Sequence, residues 1–222
     1  MKISGTNVLK CTFWSQPVAG LMLALVMGGC ASGPSSQLTV TCNQSRSFTQ
    51  TFSVAYSTQD SDGDTDIVLM DDAARRALDG EPVREPFKQV MHIRVLWKPN
   101  RDAHADHSSA SNATIHWYVM GTSPKNDGVL EYAGTAMVVL ESGEGSTDVS
   151  IRTGTCKAVG SRGAVRDPLG EASLRGSVRA RDSLERVRLA LKSVGTAIAT
   201  ANKAPTEATA RNAPELPSSS AR

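Results

Sequence analysis

From Gln37 onward the chain alternates apolar and polar residues with a period of two, interrupted by turn-forming clusters, and this is the pattern of half-buried strands. Leu38, Val40 and Cys42 alternate with threonine, and Phe48, Phe52, Val54 and Tyr56 alternate with Ser, Thr and Gln. The acidic stretch from Asp60 to Asp66 reads as a turn before a short apolar run, Ile67 to Met70. Asp72 to Gly80 then has the aspartate cap and terminal glycine of a two-turn helix. Lys88 to Trp97 and Ala113 to Met120 are rich in Val, Ile and Trp and predict a hairpin with a long polar loop. Trp97 and Trp117 share the parity of their strands' apolar sides and are expected in the core. Val129 to Leu140 and Thr147 to Lys157 continue the meander after glycine-containing turns.

The charges between Glu171 and Arg181 suggest a helix, but the spacing does not. Ala172, Leu174, Gly176, Val178 and Ala180 take one side while Ser173, Arg175, Ser177 and Arg179 take the other, which is a strand with a solvated arginine face. The period changes at Asp182. Leu184, Val187, Leu191, Val194 and Ile198 recur at three and four residues, predicting an amphipathic helix over 183–199 that packs on its own domain. Residues 203–222 are Ala, Pro, Ser and Thr with scattered charge and read as a disordered tail. The expected architecture is one mainly β domain, 37–202, built as an antiparallel β-sandwich or a strongly curved sheet with one C-terminal amphipathic helix.

The first 29 residues follow a different grammar. Lys2 and Lys10 precede an apolar run from Val18 to Gly29, about a dozen residues against the roughly 20 that a membrane span needs. A basic start, a short apolar core and small residues make a secretory signal peptide. The segment Val26-Met27-Gly28-Gly29-Cys30 resembles the lipobox of bacterial lipoproteins, with Met27 where leucine is usual. The resemblance implies cleavage after Gly29, a diacylglycerol on the Cys30 thiol and an acyl chain such as palmitate on its amine. An ordinary signal-peptidase cut after Ala31 is the alternative. Residues 30–36 would then be the lipidated cysteine and a flexible tether. In such lipoproteins an aspartate after the cysteine favours retention in the inner membrane; Ala31 stands there, which implies the outer membrane, facing the periplasm. The stretches Gln89–Trp97, Asn112–Val119 and Gly176–Ala180 resemble uncharacterised envelope lipoproteins of planctomycete-type bacteria. That likeness implies a compartment and a fold neighbourhood, and no activity.

Charge and cysteine content sharpen the picture. Of 24 basic and 22 acidic residues, Lys2 and Lys10 fall in the signal segment and no acid does, so the remainder is neutral. A nucleic-acid partner loses its electrostatic basis. With Cys30 acylated, Cys42 and Cys156 are an even pair in an oxidising compartment and are expected to form a disulfide. Parity speaks against it, because strict alternation puts Cys156 with the outward Asp148, Ser150 and Arg152; a bulge at Gly154 would reset the register.

Candidate chemistry is sparse. The chain has no Gly-x-Ser-x-Gly, no His-Glu-x-x-His and no phosphate-binding glycine loop, and no cofactor is expected. His92 and His116 can face each other across the predicted hairpin, whereas His104 and His107 belong to its loop. Asp62, Asp64 and Asp66 resemble part of a calcium loop, but the glycine and glutamate that complete such a loop are out of register. These two groups are the alternative metal sites. The function expected is a membrane-anchored envelope lipoprotein with a non-catalytic structural, assembly or protein-binding role. Its partners would be membrane lipid, through Cys30, and an unidentified envelope protein. A metal-binding or enzymatic periplasmic domain is the alternative.

Overall fold

The computed structural model describes residues 36–42, 47–97, 111–123 and 126–203. The signal segment with Gly29, the cysteine at Cys30, the tether as far as residue 35, the loop histidines His104 and His107, and residues 204–222 lie outside the described residues. The elements run β1 (Ser36–Cys42), β2 (Ser47–Phe52), β3 (Val54–Gln59), β4 (Thr65–Met70), α1 (Asp72–Leu78), β5 (Phe87–Val95), β6 (Ala113–Gly121), β7 (Gly128–Gly143), β8 (Ser146–Gly163), β9 (Glu171–Asp182) and α2 (Leu184–Lys203).

The protein is mainly β, and of the two expected architectures the curved sheet forms, with its curvature carried to closure. Strands β3 to β9 pair antiparallel in sequence order, and β9 returns to β3, so seven strands make a ring. The return is a short parallel contact in which Tyr56 pairs with Arg181 and Ser57 with Asp182. The β1–β2 hairpin is attached along the rest of β9, where Gln37 to Cys42 oppose Ser177 to Ala172.

Alternation explains what fills the ring. Leu69, Met91, Trp117 and Tyr132 stand in register on four successive strands, all pointing inward and all buried. The rings of Trp117 and Tyr132 lie 5.4 Å apart. In the next layer Ile67, Ile93 and Ile115 are followed by Gly134, which has no side chain to add. A Cβ at Gly134 would run into the backbone of Thr155 on β8, so glycine there permits the close approach of β7 and β8, and the buried side chains around it make the interior a packed core. Each large apolar side chain buried there contributes roughly 1.5–3 kcal/mol.

Two irregularities alter the parity expected from strict alternation. At Ser53, whose N–H donates to the Met70 carbonyl, β2 gives way to β3. Phe52 therefore faces the interior, whereas Val54 and Tyr56 pack on the outside with the helices. In β8 the register shifts between Ile151 and Gly154, next to the glycine where a bulge was expected. Beyond it Cys156 faces inward. Gly154 also points into the core, where an added methyl would meet Ile115 Cδ1 at 3.3 Å. Trp97 departs from expectation: β5 ends at Val95, and Trp97 is 48% exposed.

Helix α2 lies on the outer wall. Val187, Ala190 and Val194 bury against Val68, Met70, Val90, Met120 and Val129. The apolar stripe is therefore centred on Val187 and Val194; Leu184, expected on it, is 48% exposed, and Leu191 and Ile198 are partly buried at its flank. Helix α1 is capped by Asp71, one residue earlier than expected, whose carboxylate accepts from the Ala74 N–H at 2.7 Å. Arg186 of α2 donates to Asp79, at the end of α1, at 2.6 Å and ties the helices together.

Polar locks sit at both ends of the ring. At one end the buried Ser57 hydroxyl donates to Asp182 Oδ1 at 2.6 Å, and Thr147 donates to the same oxygen at 3.2 Å. At the other, the loop between β8 and β9 inserts Val165 into the core, and the Tyr132 hydroxyl donates to Asp167 at 2.6 Å. Burial opposes ionisation of Asp167, but the Tyr132 hydroxyl and the N–H groups of Leu169 and Gly170 hold its carboxyl below the ordinary aspartate range.

Asp182→Ala leaves the buried Ser57 hydroxyl without an acceptor and should cost about 1–3 kcal/mol, more than Ser57→Ala, which removes the buried group itself. Urea midpoints of the two variants check the order. Asp167 also gives the fold a pH dependence. Its folded pKa lies below the unfolded one, so its contribution is present above about pH 4 and is lost as pH falls through the folded value. Tyr132→Phe should therefore flatten the acid limb of the stability profile, and an unchanged limb would refute the assignment.

Candidate functional site

The outer wall of β4 to β7 carries a ladder of titratable side chains on outward positions. His92 and His116 are direct cross-strand partners, as expected from the hairpin. Each imidazole is engaged by a carboxylate one diagonal step away: His92 Nε2 donates to Asp66 at 2.8 Å, and His116 Nδ1 donates to Glu131 at 3.0 Å. The His116 ring also stacks on Tyr118, with centroids 6.2 Å apart. Burial, with Glu131 beside it, pushes the Tyr118 hydroxyl up to about 12. Below the ladder Arg94 holds Asp64 through Nε and Nη2 at 3.1 and 2.8 Å and reaches Asp60 at 3.5 Å.

This arrangement separates the residues proposed as calcium ligands. Asp64 is held by Arg94, Asp66 by His92, and Asp62 stands on an exposed turn that Asp60 closes by accepting the N–H groups of Asp62 and Asp64. Among the described residues no three His, Cys, Asp or Glu side chains gather as a metal-ligand set. What His92 and His116 form is two adjacent histidine–carboxylate pairs. The histidines were legible from strand parity; Glu131 and Tyr118 were not, since their pairing depends on the β6–β7 register.

A second feature escaped the sequence reading. At the Ser57–Asp182 end of the ring a half-open recess of about 460 Å³ is lined by Ser57, Thr65, Leu140, Thr147, Asp182 and Leu184. These hydroxyls and the single carboxylate come from four strands, β3, β4, β8 and β9, and only ring closure brings them together.

The expected bridge between Cys42 and Cys156 is not formed; both thiols are free. Each cysteine pairs with Ala172, from opposite sides of β9. Two strand spacings, about 9.5 Å, therefore separate them. A disulfide needs Cα atoms within about 7 Å. The bulge turned Cys156 inward as a bridge required, but β9 occupies the space between. Burial, then the nearby Asp167, pushes the Cys156 thiol up to about 11, which keeps it protonated and unreactive at neutral pH.

In comparisons with known proteins, the chain matches no family model, no curated protein and no solved structure.

A chain beginning at Ala31 and unfolded without reductant should give two titratable thiols, falling to one in Cys42→Ser and in Cys156→Ser. A count of zero would mean that β9 is not where the register places it.

Proposed function

We propose that the chain is a membrane-anchored envelope lipoprotein, held by acylated Cys30 in the outer membrane and facing the periplasm, with a non-catalytic structural, assembly or protein-binding role. The signal segment and the lipobox-like Val26–Cys30 support the anchor. The observation that carries the role is the filled barrel. Closed barrels that hold a small ligand keep their interior open for it; here Trp117, Tyr132, Phe52, Met91 and the three isoleucines occupy that space. Recognition is left to the outer surface, where the histidine–carboxylate pairs and the hydroxyl-lined recess offer hydrogen-bonding groups to an envelope protein.

The anchor is tested by metabolic labelling. Radiolabelled palmitate should enter the wild-type chain and not Cys30→Ser, and the variant should leave the membrane fraction. Equal labelling of the two would sink the reading. The binding role is tested by crosslinking intact envelopes and identifying what the wild type captures and a His92→Ala/His116→Ala variant does not.

A further inference from the structure

The two helices pack on part of the outer wall of β3 to β7 beside the histidine ladder, and α2 reaches β8 without covering the wall made by β8, β9, β1 and β2. Its outward positions are mostly short hydroxyl side chains interspersed with charges, with Val159 an exposed apolar residue near one end. Thr39, Thr49, Thr51, Ser173 and Ser177 are exposed, and neither β1 nor β2 contains a charged residue. Arg179 is neutralised by Asp148, which it grips at 2.7 and 2.8 Å, and Lys157 stands directly opposite Glu171. Arg152, Arg175 and Arg181 are exposed and, among the described residues, have no ion-pair partner. The bare wall therefore presents an excess of three positive charges over a low, hydroxyl-covered surface.

The tether starts on this wall. Ser36 opens β1, which lies between β9 and β2. Six chain steps separate it from Cys30, a reach of at most about 20 Å. An acyl-anchored Cys30 would keep this side of the barrel beside the bilayer. Acidic residues collect at one end of the ring, where Asp60, Asp62, Asp64, Glu141 and Glu144 flank the turns; Arg94 reaches into them, and Arg181, opposite Ser146, marks the end of the wall nearest them. An anionic surface attracts the wall and repels the acidic end, and each arginine near such a surface adds a favourable term.

We propose that the β8–β9–β1–β2 wall docks flat on anionic phospholipid headgroups, turning the histidine ladder and the helices away from the membrane. The inference rests on acylation of Cys30. Full-length lipidated protein is floated on vesicles of phosphatidylcholine alone or mixed with phosphatidylglycerol, and its arginines are modified with phenylglyoxal and mapped by mass spectrometry. Arg152, Arg175 and Arg181 should react several-fold more slowly on the anionic vesicles, with the protection lost in molar salt, while Arg188 on α2 reacts equally on both. Acetylation of Lys157 should likewise be slower on the anionic vesicles for the wild type, and an Arg152→Gln/Arg175→Gln/Arg181→Gln variant should float as well as wild type but acetylate equally at Lys157 on both vesicles. Flotation with equal arginine reactivity on both vesicles would overturn the docking and leave the anchor standing. Protection seen in native envelopes and absent on vesicles would overturn it in favour of a protein partner. Failure to float on either vesicle would remove the anchor on which the docking rests.

Discussion

Everything in this molecule hangs on β9. A sheet of consecutive hairpins has two free edges, and each exposed edge is a site for misassociation. β9 removes most of that liability by giving one edge to β8 and dividing the other between β1 and β3. The contact with β3 is only two residue pairs long and parallel, which is little backbone bonding for a ring closure. Side chains supplement it: the Ser57 and Thr147 hydroxyls converge on the Asp182 carboxylate, and the Ser183 N–H donates to the Ser57 carbonyl at 2.8 Å immediately before α2 begins. The same junction therefore closes the barrel and aims the helix.

Closure has consequences for packing and for function. Once the ring is shut, the inward side chains must fill it without overpacking; Gly154 leaves room beside Ile115, and Gly134 lets β8 approach closely where a Cβ would run into the Thr155 backbone. A packed interior makes the barrel a rigid support. The helices take one side of its outer surface; the histidine–carboxylate ladder, the recess and the arginine-studded wall share the rest.

How much of this was legible in the sequence depends on how local each feature is. Strands and helices were readable because burial imposes its period directly on neighbouring residues, and His92 opposite His116 followed from one hairpin. Parity failed where the backbone inserted a residue: Ser53 carries no sequence signal for its kink, while Gly154 marked the bulge in β8. Closure itself could not be read, because the pairing of Ser57 with Asp182 spans 125 residues and leaves no periodic trace. The disulfide expectation failed for the same reason, since counting thiols cannot show that a strand runs between them. Asp66, part of the alternative calcium site, pairs with His92 because its register with β5 sets it one diagonal step away.

The central claim, that β9 closes a single cooperative ring, is tested most directly by native-state hydrogen exchange. If the ring opens only as a whole, amides of β8 and β9 should exchange with the same free energy as those of β5 and β6, and Asp182→Ala should lower all four together. If β9 instead exchanged through a cheaper local opening while β5 and β6 stayed protected, the closed ring would be wrong.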